Sequence, residues 1–225
     1  MGIRDNLKGV PVGIWADGAL TSRNCSHWSL GGAAILASEC IDIPNDAPIL
    51  DRYSQGRITN SHAMAFTSIP GQFCSSTRAE LVAIILALCI PRRLDIATDS
   101  ANCVRGIQGI LSSPSFRPRR HWALMANGDL WQLAQLLLRA RGLNTVTIRK
   151  VKGHAKDVHI QQGLSTPLDR ANNDWADELA DEGNASHEPG LSEYAFFHCM
   201  YNIYQGLLLG LYTHFANCMA FEAEG

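Results

Sequence analysis

Four carboxylates in this sequence each stand beside an apolar segment: Asp17 in IWADGA, Glu80 in STRAEL, Asp99 in IATDSA and Asp177 in NNDWADELA. Oxygen groups of this kind suit hard divalent cations such as Mg²⁺, which keeps several waters and so needs few protein ligands. Two such ions, roughly 3.5–4 Å apart, stabilise charge on the attacking and leaving oxygens of a phosphodiester with little proton traffic. The KGH tripeptide ending in His154 lies between the third and fourth carboxylates and adds one group able to move a proton near neutral pH. No His/Cys cluster with zinc spacing occurs. Taken together, these residues point to metal-assisted hydrolysis of a nucleic-acid backbone.

Each carboxylate also has a plainer reading. Asp17-Gly18 is a strong hairpin-turn dipeptide. Thr77 and Glu80 have the Thr-x-x-Glu spacing of a capping box, which would occupy the same carboxylate with backbone donors. Asp99-Ser100 reads as an N-cap. Asp177 has Asp174 and Asp181 as equivalents on a polar helix face.

The elements that must position these groups follow from the apolar pattern. Residues 10 to 16 (VPVGIWA) and 27 to 37 (HWSLGGAAILA) read as an antiparallel pair joined by a polar turn. The stretch 38 to 74, with PILDRY and AMAFTSI as strand pieces, reads as a third strand preceded by an insertion. Residues 77 to 89 are apolar nearly all round, the pattern of a helix buried on more than one side. A buried strand over 94 to 100, helices over 101 to 111 and 128 to 142, a strand over 145 to 151 and a last helix through ADELADEG complete the order. Thr166-Pro167, inside a long loop after His154, looks like a helix start.

This order, with the RAEL, TDS, KGH and ADELA runs around the four acids, resembles type 1 ribonuclease H over roughly residues 10 to 185, leaving residues 1 to 9 as a lead and 186 to 225 as a tail. The resemblance implies an α/β fold: a mixed five-stranded sheet, three antiparallel strands then two parallel, flanked by helices. The implied activity is endonucleolytic hydrolysis of the RNA strand of RNA/DNA hybrids, leaving 3′-hydroxyl and 5′-phosphate ends. Asp17, Glu80, Asp99 and Asp177 would hold two Mg²⁺, or Mn²⁺ in its place, and His154 rather than His159 would assist proton transfer or product departure. Gly18, Ser76 and Thr77 would meet 2′-hydroxyls in the shallow minor groove, and Ser100 the scissile strand. The family often carries two Asn where this chain has Ser76-Thr77. In RPRRHW, Arg117, Arg119 and Arg120 would grip DNA phosphates while Trp122 stacks on sugars or bases. Two rivals stand beside this reading. A catalytically quiet module of a retroelement polyprotein is disfavoured by the intact carboxylate set, and an integrase, resolvase or exonuclease of the wider superfamily by the KGH and ADELA runs.

Composition narrows the class. The net charge of −2 excludes a uniformly basic nucleic-acid binder. Instead, residues 117 to 152 are basic and residues 169 to 193 acidic, a juxtaposition suited to phosphates held beside metal ions. The seven cysteines show no CxxC pairing and no charged-then-apolar signal opens the chain, so an intracellular protein of nucleus or cytoplasm is expected. From Tyr194 to Phe221 there is no formal charge, and Gly206 and Gly210 form a GxxxG. His198, Asn202, Gln205 and Thr213 recur near one face and argue against a membrane span. The tail is expected to pack on the domain, or on a missing polyprotein domain or partner, as an amphipathic helix.

Overall fold

The computed structural model describes residues 9–21, 29–39, 62–69, 74–113, 115–187, 190–191, 197, 200–201 and 203–214, and the backbone of 54–58. Six strands are described: β1 (Val12–Thr21), β2 (Leu30–Ala37), β3 (Ser54–Ile58), β4 (Ala63–Ile69), β5 (Leu94–Thr98) and β6 (Val146–Lys150). They form one sheet in the order β3-β4-β2-β1-β5-β6. Strands β1, β2 and β4 pair antiparallel, and β5 and β6 continue the sheet in parallel with β1. The mixed five-stranded sheet expected from the sequence is therefore present, extended by β3, which pairs antiparallel with β4 at the edge. Its sequence, SQGRI, lacks the alternation that marks a core-facing strand, so no pattern announces it. The PILDRY piece lies outside the described residues.

Strand β1 does not stop at Asp17-Gly18. It runs on to Thr21, with Asp17 opposite Ala34 and Gly18 opposite Ala33, so pairing with β2 overrides the turn propensity of the dipeptide. Every residue of β2 is buried, because helices cover both of its faces. Its Gly-Gly-Ala-Ala run leaves room for them.

On one face lie α1 (Ser76–Leu88), α2 (Ala101–Leu111) and α3 (Gly128–Arg141), packed over Val12, Ile14 and Ala16 of β1. On the other lies α5 (Pro167–Ala185), whose Ala176, Leu179 and Ala180 meet Trp15, Leu36, Met64 and Phe66. A short α4 (Asp157–Gln161) sits in the loop between β6 and α5. Thr166 caps α5 by accepting from the Asp169 amide at 3.0 Å, with Pro167 in the first turn, as the Thr-Pro pair implies. The last helix is thus longer than ADELADEG alone.

Of the two expectations for the C-terminal tail, packing on the domain is not met by its described residues. Residues 203 to 214 are helical, yet Tyr204, Leu207, Leu209 and Tyr212 are 57–70% exposed instead of packed on the domain. Among the described residues, both faces of the central strands are already occupied by α1 and α5. No helix among the described residues is long and apolar enough to cross a membrane.

One buried cation ties the α1–α3 layer together. Arg141, in the last turn of α3 and 4% exposed, donates to Leu88 O at 2.7 Å and to the carbonyls of Ile90 and Arg92. Leu88 is the last residue of α1 and the other two carbonyls lie in the turn that follows, so the guanidinium serves the helix end and complements its dipole. Arg141→Leu should cost about 2–4 kcal/mol, read as a lower denaturant midpoint at unchanged slope. An unchanged midpoint would show that water serves those carbonyls equally well.

Candidate metal centre

Three of the four carboxylates converge. Asp17, Glu80 and Asp99 each offer an oxygen within 4.8 Å of the others. The parallel register sets Trp15 beside Ala97, so two residues further along Asp17 comes level with Asp99 just past the end of β5. Glu80 reaches the same point from the first half of α1. Asp17 and Glu80 are 5% and 8% exposed, and among the described residues no lysine or arginine pairs with either.

The plainer readings of these acids fall away on the geometry. Ser75, not Thr77, caps α1 by accepting from the Arg78 amide at 3.1 Å, which leaves Glu80 free of capping. Its Oε2 accepts from the Thr98 hydroxyl at 3.0 Å instead. Ser100, not Asp99, caps α2. Asp17 sits mid-strand, and its Oδ1 accepts from the Gly18 amide at 2.8 Å.

Two glycines make the convergence sterically possible. A Cβ on Gly18 would stand 2.4 Å from the Glu80 amide nitrogen, so its absence lets α1 lie directly on β1. A Cβ on Gly153 would stand 2.0 Å from Asp99 Oδ2, which explains the glycine of KGH. Sequence reasoning missed Gly153 and Thr98, although both stand inside runs it had singled out, KGH and TDS.

Like charges at this density resist ionisation. Burial first, and then the neighbouring Asp99, push the Asp17 carboxyl well above the ordinary carboxylate range. Burial, then Asp17 and Asp99, do the same to Glu80. Each carboxyl thus raises the other, because two negative charges this close and this buried repel when no cation is present.

Asp177 lies beside this trio rather than within its 4.8 Å circle. Burial, followed by repulsion from Asp181, Asp99 and Asp174, raises its pKa against the pull of His154. Of its equivalents, Asp174 leans toward Arg170 at 3.9 Å and Asp181 is exposed. His154, its side chain 80% exposed and its backbone left-handed at φ 46°, places Nδ1 3.8 Å from Asp177 Oδ2. His159 is engaged elsewhere, its Nδ1 accepting from the Lys156 amide at 2.9 Å ahead of α4.

The residues expected to touch substrate scatter differently. Ser76 is exposed and Thr77 and Ser100 half-buried, and Ser100 Oγ accepts from the Cys103 amide at 3.5 Å. Arg117, Arg119 and Arg120 are exposed around a hollow of about 590 Å³ floored by Ile110, Phe116 and Trp131. Trp122 also lines this hollow; it is 9% exposed, packs near Phe116 and donates its indole N–H to Gln135 at 3.3 Å, so it anchors the loop that carries the arginines.

The donor set fits a hard divalent cation. It is made only of oxygens, is largely buried and lacks a cationic side chain among the described residues, so a bound dication would relieve a repulsion the fold imposes.

Known proteins give the same picture of the fold. The chain is similar to LC9-RNase H1, described as a type 1 RNase H with the type 2 active-site motif, at 21% identity and a TM-score of 0.51, covering 80% of this chain and 76% of that one. It is similar to the prototype foamy virus protease-reverse transcriptase at 18% identity and a TM-score of 0.48, over 82% of this chain and 22% of that one, so it spans about a fifth of the viral protein's length. The PFV RNase H domain gives 18% identity and a TM-score of 0.48 over 77% of this chain and 94% of that domain. No curated protein sequence matches the chain. The RNase H family model matches residues 13–185, a span that holds all four carboxylates and His154, and the chain accordingly belongs to the RNase H family.

Proposed function

We propose that this chain is an endonuclease that hydrolyses the RNA strand of RNA/DNA hybrids and leaves 3′-hydroxyl and 5′-phosphate ends. The observation that carries the proposal is the meeting of Asp17, Glu80 and Asp99 within 4.8 Å, beside Asp177, in an RNase H family domain. A pair of Mg²⁺ ions, replaceable by Mn²⁺, would supply charge stabilisation at the attacking and leaving oxygens.

The chain's own residues do the rest. Asp17, Glu80, Asp99 and Asp177 are the groups to hold the ions, with Thr98 hydrogen-bonded to Glu80 and the Gly18 amide to Asp17. His154 stands at the solvent side next to Asp177, where an imidazole can take or return a proton as the product leaves. The exposed Ser76 hydroxyl, with Thr77, Ser100 and the backbone at Gly18, is assigned to the RNA strand, since a hydroxyl both donates and accepts toward a 2′-hydroxyl. Arg117, Arg119 and Arg120 are assigned to phosphates of the DNA strand.

Cleavage of a labelled hybrid, with single-stranded RNA and duplex DNA as controls, tests the activity. Wild type should cut only the hybrid's RNA strand, and Asp99→Asn should slow it by about 10²–10³. A hybrid left intact with Mg²⁺ present would overturn the proposal.

Replacing Arg117, Arg119 and Arg120 by Gln should weaken hybrid binding and flatten its logarithmic salt dependence by roughly 0.7–0.9 for each phosphate no longer neutralised. An unchanged slope would remove these arginines from the interface.

The raised carboxyls make a pH prediction. Between the ordinary range near about pH 4 and their raised native values, the native state holds protons that the unfolded chain has released. Metal-free protein should therefore lose melting temperature as pH climbs from about 5 to 8, and Mg²⁺ should restore it. Asp17→Asn should flatten the loss and raise the metal-free melting temperature at pH 8 by about 2–4 °C. A metal-free melting temperature that rises over that window in wild type, or one that Asp17→Asn lowers, would contradict the clustering of ionised acids.

A further inference from the structure

We propose that Asp169 is a positioning residue that sets where Asp177 stands, by bolting helix α5 to the strands that carry Asp17 and Asp99. The inference rests on the metal-dependent reading above and concerns how the fourth carboxylate is brought to the other three.

The Asp169 carboxylate, 14% exposed, gathers donors from two strands. Its Oδ1 accepts from the Trp15 indole N–H of β1 at 3.1 Å and from Arg149 Nη2 of β6 at 2.8 Å. Arg149 turns its Nε to Asp95 Oδ2 of β5 at 3.1 Å, and the Thr147 hydroxyl donates to the other oxygen of Asp95 at 2.8 Å. One polar cluster thus joins α5 to three adjacent strands.

Its place along each element is what links it to the metal centre. Trp15 is two residues before Asp17 on β1, Asp95 four before Asp99 at the end of β5, and Asp169 eight before Asp177 on α5. Four residues of strand span about 13 Å, and eight residues of helix about 12 Å. The cluster therefore lies one equal step from the acids along both β5 and α5, and a shift of the helix at Asp169 moves Asp177 by the same amount.

Near its C-terminal end α5 is tied to β1 by Asn184, whose side-chain amide donates to the Thr21 hydroxyl, so the Asp169 cluster is the polar anchor of the helix's N-terminal half. The buried face of α5 is Asn172, Asn173, Ala176, Leu179, Ala180 and Gly183, of which the three smallest let the helix backbone lie close to the sheet and so set its height. Hydrogen bonds to a carboxylate add a directional, short-ranged constraint that apolar contact does not supply. Asp177 stands outside the 4.8 Å grouping of Asp17, Glu80 and Asp99, so that grouping does not hold it in place.

The test is Mn²⁺ binding to the full chain, measured by calorimetry without substrate at a temperature well below melting. Asp169→Ala should weaken the Asp177-dependent binding about tenfold, as the loss of a residue that orients a metal ligand does. Trp15→Phe, which keeps an aromatic ring and removes one donor, should weaken it less, about two- to threefold, and Asp169→Asn should fall between. In an Asp177→Asn background the same changes should have no further effect, because the cluster acts through that residue. Superimposable isotherms with a lowered melting temperature would reduce Asp169 to a structural role and overturn the inference. Equal losses in both backgrounds would overturn it as well. Should Asp169→Ala fail to fold, Trp15→Phe and Asp169→Asn decide in its place. Wild-type protein that binds no Mn²⁺ would sink the metal-dependent reading together with this one, whereas wild-type binding indifferent to Asp169 would leave that reading standing alone.

Discussion

Mutual repulsion among buried carboxylates is the constraint around which this domain is arranged. Folding brings Asp17, Glu80 and Asp99 within 4.8 Å and removes two of them from water, an arrangement that neither sequence propensity nor core packing favours. The sheet and α1 impose it. Gly18 lets the helix lie against the strand, the parallel register of β1 and β5 levels two of the acids, and Gly153 leaves space beside the third. A fold that gives up stability to crowd like charges is expected to recover it through a bound counter-charge.

The two faces of the sheet divide the work. The layer of α1, α2 and α3 contributes Glu80 and is held as a unit by apolar packing and by the Arg141 cap at the end of α1. The opposite face has a single long helix, α5, which carries Asp177 and rests on a smaller cluster around Trp15, Leu36 and Phe66. Three acids are therefore set by one rigid layer and its strands, while the fourth depends on how one helix sits. This asymmetry fits the greater exposure of Asp177 and its neighbour His154, the open side from which substrate would enter and product leave.

Much of this was legible in the sequence, for identifiable reasons. Continuous apolar character announced α1 and β5, and the order of the elements other than β3 and the short α4 followed from local pattern. Competition within single residues was not legible: whether Thr77 or Ser75 caps α1 decides what Glu80 is free to do, and only the backbone settles it. Asp-Gly misled about the end of β1 because a turn propensity of local origin yielded to pairing with β2. The burial of Trp122 was not legible either, because an aromatic among arginines carries no sign of how much of its ring is covered. Contacts such as Trp15 with Asp169 or Arg141 with Leu88 join residues far apart in the chain and have no local signature at all.

The most direct test of the central claim is a crystal of the protein grown or soaked with Mn²⁺ and studied by anomalous diffraction. Two peaks are expected beside Asp17, Glu80, Asp99 and Asp177, roughly 3.5–4 Å apart. Manganese absent from these carboxylates, with their oxygens still gathered and protonated at pH 8, would contradict it.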